Sequence, residues 1–274
     1  MWRAPIIRCV WLAFLLAAGA RQSARAAGPA DLTVPSTAPS YTAASIVQAA
    51  TQQAAALAPN TIATIYGSNL AYDTRAITSA DLTGGALPTS LDGVTVTVNG
   101  ILCGLFYVSP GQINYLVPYQ VTAASAAVQV VRQGVRGPVV TIALAPTSPA
   151  FFEWNGNQAI AVHADGTLIS TAAPAASGEA IVLFAAGLGR TSPDVTPNAP
   201  PAAAASLLYA PQLQVWLNGV AMAAGSVLYA GVTPGFAGLY QINLRLPAPV
   251  PSNPAIQVTI GSQSSPPAVV LPAQ

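Results

Sequence analysis

The 274-residue chain carries nine Arg, no Lys, eight Asp or Glu and one His, so charged residues are 6%, against roughly 25% in an ordinary soluble domain. The 22 Gly and 25 Pro exclude long helices as the main architecture, since each interior one costs roughly 1 to 3 kcal/mol. So few cations exclude a nucleic-acid binder, which sets clustered Lys and Arg against phosphate, and 53% hydrophobic residues exclude an acidic disordered chain.

In chain order, residues 1–26 read as a helical signal peptide. Arg3 and Arg8 precede an apolar run at 10–20 (VWLAFLLAAGA), and Ala24-Arg25-Ala26 supplies the small-x-small cleavage pattern. The run falls short of the roughly 20 residues that a spanning helix needs. Cleavage after Ala26 leaves five Arg against eight acids, a mildly acidic mature chain with net charge −3. Every later apolar run is interrupted, so no transmembrane segment is expected after cleavage. The expected location is secreted: extracellular, cell surface or periplasm. Residues 27–57 form a linker and lead-in segment, rich in Pro, Ser and Thr at first, then a short helix or apolar strand from residue 43.

At 92–98 (DGVTVTV) Val and Thr alternate with the period of a half-buried strand. Asn99-Gly100 follows, a strong hairpin signal because a type I′ turn needs positive φ at both central residues. A two-residue loop sets Val98 opposite Ile101, Thr97 opposite Leu102 and Val96 opposite Cys103. The Cys103 side chain is then expected in the core as inert packing. Cys9 leaves with the signal, so the mature monomer has no internal disulfide.

The construction returns 119 residues later, with Asn218-Gly219 following 213–217 (LQVWL) and Met222 in the place of Cys103. Residues 112–118 (QINYLVP) match 241–247 (QINLRLP), each preceded by a Pro-Gly turn, and 62–67 and 128–131 match 180–185 and 256–259. Matched blocks in the same order indicate an internal duplication. Their spacing grows from about 118 to about 129, which places an insertion of about ten residues at 223–238 of the second copy. The expected fold is all-β: two tandem immunoglobulin-like β-sandwich units joined by a short β-hairpin. The expected division is 58–146 for unit 1, 147–172 for the linking hairpin with turns at Asn155-Gly156 and Asp165-Gly166, and 173–274 for unit 2. Residues 197–205 (PNAPPAAAA) read as a low-complexity loop of unit 2.

Five blocks, at 57–71, 87–100, 105–120, 181–193 and 229–247, resemble an uncharacterised secreted domain family expanded in soil acidobacteria. The two QIN-x-x-[VL]-P blocks are its most specific mark, and its halves are similar to IPT/TIG-type immunoglobulin-like modules. The resemblance implies the sandwich fold and export, and it assigns no catalytic residue.

Little in the chain is suited to catalysis, and no enzyme is expected. His163 stands on the linking hairpin as a half-exposed strand residue, without a G-x-S-x-G elbow elsewhere. The acids Asp31, Asp73, Asp81, Asp92, Glu153, Asp165, Glu179 and Asp194 are scattered, and Asp92 and Asp165 precede Gly in turns. No metal or cofactor site is expected. Gly187-Leu188-Gly189 is better read as a turn leaving a strand than as a dinucleotide loop, because Ser192 replaces the third glycine and Pro193 follows. The repeated Gln112/Asn114 and Gln241/Asn243 pairs point outward and are expected to bond to the adjacent Pro-Gly loops. The candidate ligand residues are Trp216, Trp154 and Gln214, because an outward aromatic offers a flat apolar face with a polar edge. The alternative is that Phe151, Phe152 and Trp154 of the hairpin cover Trp216. The expected function is a non-catalytic structural or adhesive module engaging an extracellular protein or surface, and the second reading is a carbohydrate-binding module.

Overall fold

The computed structural model describes residues 37–274; the expected signal peptide at 1–26 and the start of the linker lie outside the described residues. The first half of the chain contains β1 (Ile46–Gln48), β2 (Ile62–Tyr66), β3 (Arg75–Ala76), β4 (Val94–Val98) and β5 (Ile101–Leu102). They are followed by β6 (Leu105–Val108), β7 (Gln112–Leu116), β8 (Ser125–Arg132), β9 (Val135–Arg136) and β10 (Val140–Ala143). Two antiparallel sheets result, β1-β2-β7-β6-β3 and β10-β8-β4-β5, with β9 added to β8. Between them lies a core that includes Ile65, Val96, Val98, Leu105, Ile113, Tyr115, Val128 and Val130. The lead-in from residue 43 is one 3-10 turn followed by β1, which pairs with β2.

The middle of the chain supplies β11 (Ala150–Phe151), β12 (Glu153–Trp154), β13 (Gln158–Ala159) and β14 (Ala161–Val162). It is more than a linking hairpin. Only β12 and β13 pair with each other, while β11 and β14 join the sheet of the second sandwich beside β15 (Ala180–Ala186). That sandwich continues with β16 (Thr191–Ser192), β17 (Ser206–Leu207), β18 (Leu213–Leu217), β19 (Val220–Ala221) and β20 (Val227–Val232). It ends with β21 (Tyr240–Arg245), β22 (Ile256–Ile260) and β23 (Gln263–Ser264). Its sheets run β11-β15-β21-β20-β17-β16 and β19-β18-β22-β23. The order β2-β7-β6 thus recurs as β15-β21-β20, and β8-β4-β5 as β22-β18-β19, so the duplication visible in the sequence is repeated in the topology. The fold is all-β and immunoglobulin-like, as the strand patterns require.

The hairpin registers follow from turn chemistry. Asn99 and Gly100 have φ of 49° and 77°, and Asn218 and Gly219 of 48° and 75°, the pairs of positive values that a type I′ turn needs. Thr97 therefore faces Leu102 and Val98 faces Ile101, and the Cys103 N–H donates to the Val96 carbonyl at 2.9 Å. The Cys103 side chain is fully buried. Burial raises its thiol far above the ordinary range, so it is packing rather than a reactive thiolate.

Two strands behave differently from simple half-buried ones. Every residue of β7 is buried, and β15 is buried on both faces along most of its length. The outward row of β7 and β2, Leu116 and Ile62, packs with Phe106, Leu87 and Ala237, the last contributed by the second sandwich. The outward row of β15, Phe184 and Ala186, packs with Phe152, Ile160, Val162 and Leu239. The Gln-x-Asn expectation needs correcting as a result. Gln112 Nε2 donates to Asn114 Oδ1 at 2.9 Å, and Gln241 Nε2 to Asn243 Oδ1 at 3.0 Å. Each pair satisfies itself along its own strand rather than through the Pro-Gly loop. For Asn114, which is buried, Thr64 Oγ1 adds a second donor at 3.0 Å.

Candidate functional site

The three residues singled out as ligand contacts do not share one element. Gln214 and Trp216 stand two apart on the outer row of β18, opposite Thr259 and Gln257 of β22. Trp154 is on the separate β12–β13 ribbon, opposite Gln158. Trp216 is half-buried, and its indole N–H donates to Thr259 Oγ1 at 3.1 Å. Gln214 Nε2 donates to the Val215 and Met222 carbonyls at 2.8 and 2.7 Å. The hairpin phenylalanines are not the cover of Trp216. Phe151 enters the core of the second sandwich and Phe152 packs on Phe184, while Trp154 stays 36% exposed.

The polar residues that do converge lie where the two sandwiches meet. Gln48 of β1 donates through Nε2 to the Ser148 carbonyl at 2.7 Å, and the Ser148 N–H donates to the Gly187 carbonyl at 2.7 Å. Asn60 Nδ2 reaches Tyr240 Oη at 3.2 Å, and that hydroxyl donates to the Gly189 carbonyl at 2.6 Å. Asn198, in the low-complexity loop, accepts the Gly104 N–H on its side chain at 2.9 Å and the Leu87 N–H on its carbonyl at 2.7 Å. Gly238 closes the contact: a Cβ there would sit 2.6 Å from both Ile62 Cγ1 and Leu116 Cδ1. The low-complexity loop and the inserted residues of the second copy therefore take part in docking the sandwiches.

Two buried tyrosines test how much that polar junction matters. Replacing Tyr240 by Phe orphans the Asn60 amide and the Gly189 carbonyl, and is expected to destabilise by about 2 kcal/mol. Tyr115 Oη is buried without a hydrogen-bond partner, so Tyr115→Phe is expected to be neutral or slightly stabilising. Parallel urea denaturation of the two variants checks both; equal losses would mean that the junction bonds contribute nothing.

An open cleft of about 120 Å³ lies along the same junction. Its walls are Pro59, Val121, Thr122, Ala123, Ala145 and Pro146 from one side and Arg190, Leu208 and Tyr209 from the other. Arg190 is held in place. Its guanidinium lies 5.1 Å from the Tyr119 ring centroid, and Nη2 donates to Asp194 Oδ2 at 2.5 Å. Tyr119 Oη donates to the other carboxylate oxygen, also at 2.5 Å. The Tyr119 hydroxyl first, then Arg190, hold the Asp194 carboxyl below the usual carboxylate range. Sequence reading missed this cluster. Arg190 and Asp194 are four apart, flanking the two-residue β16, and Tyr119 reaches them from 71 residues before Arg190; scarcity of charge was the one available signal.

His163 is half-buried at the end of β14, and both of its ring nitrogens are engaged. Nδ1 lies 2.6 Å from Glu179 Oε1, and Nε2 lies 3.2 Å from the Ala173 carbonyl oxygen. A nucleophilic relay needs a hydroxyl at the second nitrogen, where this structure puts a carbonyl. Burial works against the charged ring, but the bonds to Glu179 and Ala173 outweigh it and raise the His163 pKa above 6.5. The linkage sign follows: the stabilisation is complete below the unfolded value of about 6.5 and is lost as pH rises through the folded value. Glu179→Gln is expected to lower the His163 pKa, measured by NMR titration, and to flatten the loss of stability above neutral pH. An unchanged pKa would remove Glu179 as the cause. Among the described residues no three His, Cys, Asp or Glu side chains gather closely enough to hold a metal ion, and no helix is long and apolar enough to cross a membrane.

Comparison with protein families matches residues 51–151 to the IPT/TIG domain, over the first sandwich. Comparison with curated proteins gives no match. Among solved structures, the chain is similar to SGBP-B of the Bacteroides ovatus mixed-linkage glucan utilization locus, in complex with a mixed-linkage heptasaccharide. That pair shares 11% identity over 79% of this chain and 41% of the other, with a TM-score of 0.29. The surface glycan-binding protein PbSGBP-B from Prevotella bryantii shares 10% identity over 85% of this chain and 41% of its own, with a TM-score of 0.26. SGBP-B from a complex xyloglucan utilization locus in Bacteroides uniformis shares 12% over 86% and 50%, with a TM-score of 0.24. The chain spans about two fifths of the length of the first two.

Proposed function

We propose that this chain is an exported, non-catalytic binding module whose two sandwiches, 58–146 and 173–274, are locked into one body by the segment 147–172 and present their outer surface to an extracellular protein or cell-surface partner. The division of the chain, the signal at 1–26 and the kinship with a secreted acidobacterial domain family belong to this reading. The observation that carries it is the junction: Gln48, Asn60, Asn198 and Tyr240 are all spent on holding one sandwich to the other. Fixing two domains in this way loses inter-domain freedom once, at folding, and leaves a broad rigid surface for association. The edge strands β3, β5, β19 and β23 are two residues long, too short to template another strand, which leaves the four-residue β10 as the longer edge of its sheet.

A second reading, binding to a polysaccharide, is favoured by the exposed Trp154 and by the indole of Trp216, pinned at its edge to Thr259. An immobilised ring with a polar rim suits the apolar face of a sugar. Gln214 then contributes an acceptor oxygen. One experiment covers both readings. The full chain is expressed with export, its N-terminus is sequenced, and it is screened against a glycan array, insoluble polysaccharides and cross-linkable surface proteins of intact cells. Saturable binding without cleavage products, by a chain beginning at residue 27, is the expected result. Released products would falsify the non-catalytic reading, and polysaccharide binding that is lost in Trp216→Ala selects the second.

A further inference from the structure

The cleft between the sandwiches is a built site that neither reading uses. Its one charged side chain, Arg190, is immobilised on two sides, by the Tyr119 ring and by Asp194, yet its Nε is buried with no hydrogen-bond partner. An exposed ion pair by itself contributes little to stability, and an unsatisfied buried donor works against it. Around the guanidinium are rigid apolar walls, Pro59, Val121 and Pro146, with the Tyr209 ring and Leu208 on the other side. Leu208 is 49% exposed at the cleft, apolar surface that an occupant would cover.

We propose that this cleft binds a single neutral pyranose ring of a glycan, with Arg190 donating to a ring hydroxyl and Tyr209 facing the ring. The ligand class follows from the chemistry. The guanidinium on the cleft wall offers N–H donors, and a sugar hydroxyl oxygen accepts them. Asp194 already neutralises Arg190, so a ligand carboxylate would meet repulsion there. The size argues the same way. At about 120 Å³ the cleft is well below the roughly 300 to 1,000 Å³ of drug-sized sites, which leaves room for one ring and not for a stretch of chain. The inference rests on the polysaccharide reading for its ligand but not on Trp216 or Trp154.

The test titrates the full chain with glucose, galactose, mannose, xylose, cellobiose and glucuronic acid by NMR, with the polysaccharides it retains in pull-down as a second probe. Arg190→Gln and Leu208→Arg are compared with Arg136→Gln, which removes an equal charge from the surface strand β9. Leu208 is exposed enough that its variant keeps the wild-type melting temperature, which guards against a folding artefact in Arg190→Gln. Expected are shifts at Leu208 and Tyr209, at least tenfold weaker sugar or polysaccharide binding in both cleft variants, wild-type binding in Arg136→Gln, and neutral sugars favoured over glucuronic acid. Carbohydrate binding that both cleft variants retain, or a preference for glucuronic acid, overturns the cleft and leaves the polysaccharide reading standing. Binding to no carbohydrate at all overturns that reading, and the cleft with it.

Discussion

Replacing Gly187 by alanine is expected to destabilise the protein by about 3 to 5 kcal/mol, with a melting temperature about 10 °C lower. Two effects add. Gly187 has a φ of 71°, and an added Cβ would lie 1.9 Å from the Ser148 carbonyl oxygen and 2.9 Å from Gln48 Nε2. The left-handed conformation costs about 1 to 2 kcal/mol for a residue with a Cβ. The overlap is with backbone, so no side chain can rotate out of the way. Relief requires breaking the bond from Ser148 N–H to Gly187 and shifting the carbonyl that Gln48 holds. Gly219→Ala is the control, since Gly219 has a φ of 75° and nothing within 4 Å of the added carbon. It carries the conformational cost alone, about 1 kcal/mol. Similar losses in the two variants, by thermal or urea denaturation, would show that the sandwiches dock too loosely for the contact to matter.

Arg132→Ala is expected to cost about 3 kcal/mol and to free the start of the described chain. Arg132 ends β8, is 3% exposed, and donates through Nη1 and Nη2 to the Asn69 and Thr37 carbonyls at 2.7 and 2.8 Å. Its guanidinium lies 4.1 Å from the Tyr72 ring centroid. Charge-assisted bonds are worth roughly 1.5 to 3 kcal/mol each, partly offset because truncation also removes a buried charge. Arg132→Lys should recover less than half, since an ammonium cannot span both carbonyls while stacking on Tyr72. Hydrogen exchange gives an independent readout. Residues 37–41 are tied to the sandwich by this arginine, by the Ser40–Ser68 bridge and by the Tyr41 hydroxyl, which donates to the Pro138 carbonyl at 2.5 Å. Protection at Ser40 and Tyr41 should fall in the variant, and unchanged protection would refute the anchoring role.

Local chemistry made much of this fold legible. The two Asn-Gly turns specified their hairpins and registers, because positive φ at two successive residues leaves one two-residue loop and hence one pairing. The same registers placed Cys103 in the core before any contact was known. The four matched blocks announced two copies of one sandwich. Misreadings began where a second layer was involved. Gln112 and Asn114 looked like donors for a nearby loop, and instead bond to each other, while Leu116 on the same row packs with Ala237 and Leu87. Residues 147–172 read as a short linking hairpin, and beyond the β12–β13 ribbon their β11 and β14 also join the sheet beside β15.

The cleft was hidden for the same reason. Pro59, Pro146, Arg190 and Tyr209 are unremarkable in their own segments and come to line one cleft only when the sandwiches dock. What the sequence determined alone was the all-β class, the duplication, the hairpin registers and the burial of Cys103, all consequences of dihedral preferences and period-two burial within a few residues. What only the tertiary structure decided was the docking of the two copies, the role of Asn198 and the inserted loop, and the placement of Arg190 against Tyr119. Those depend on contacts between side chains tens to more than a hundred residues apart, and no local periodicity encodes which apolar face will find which partner.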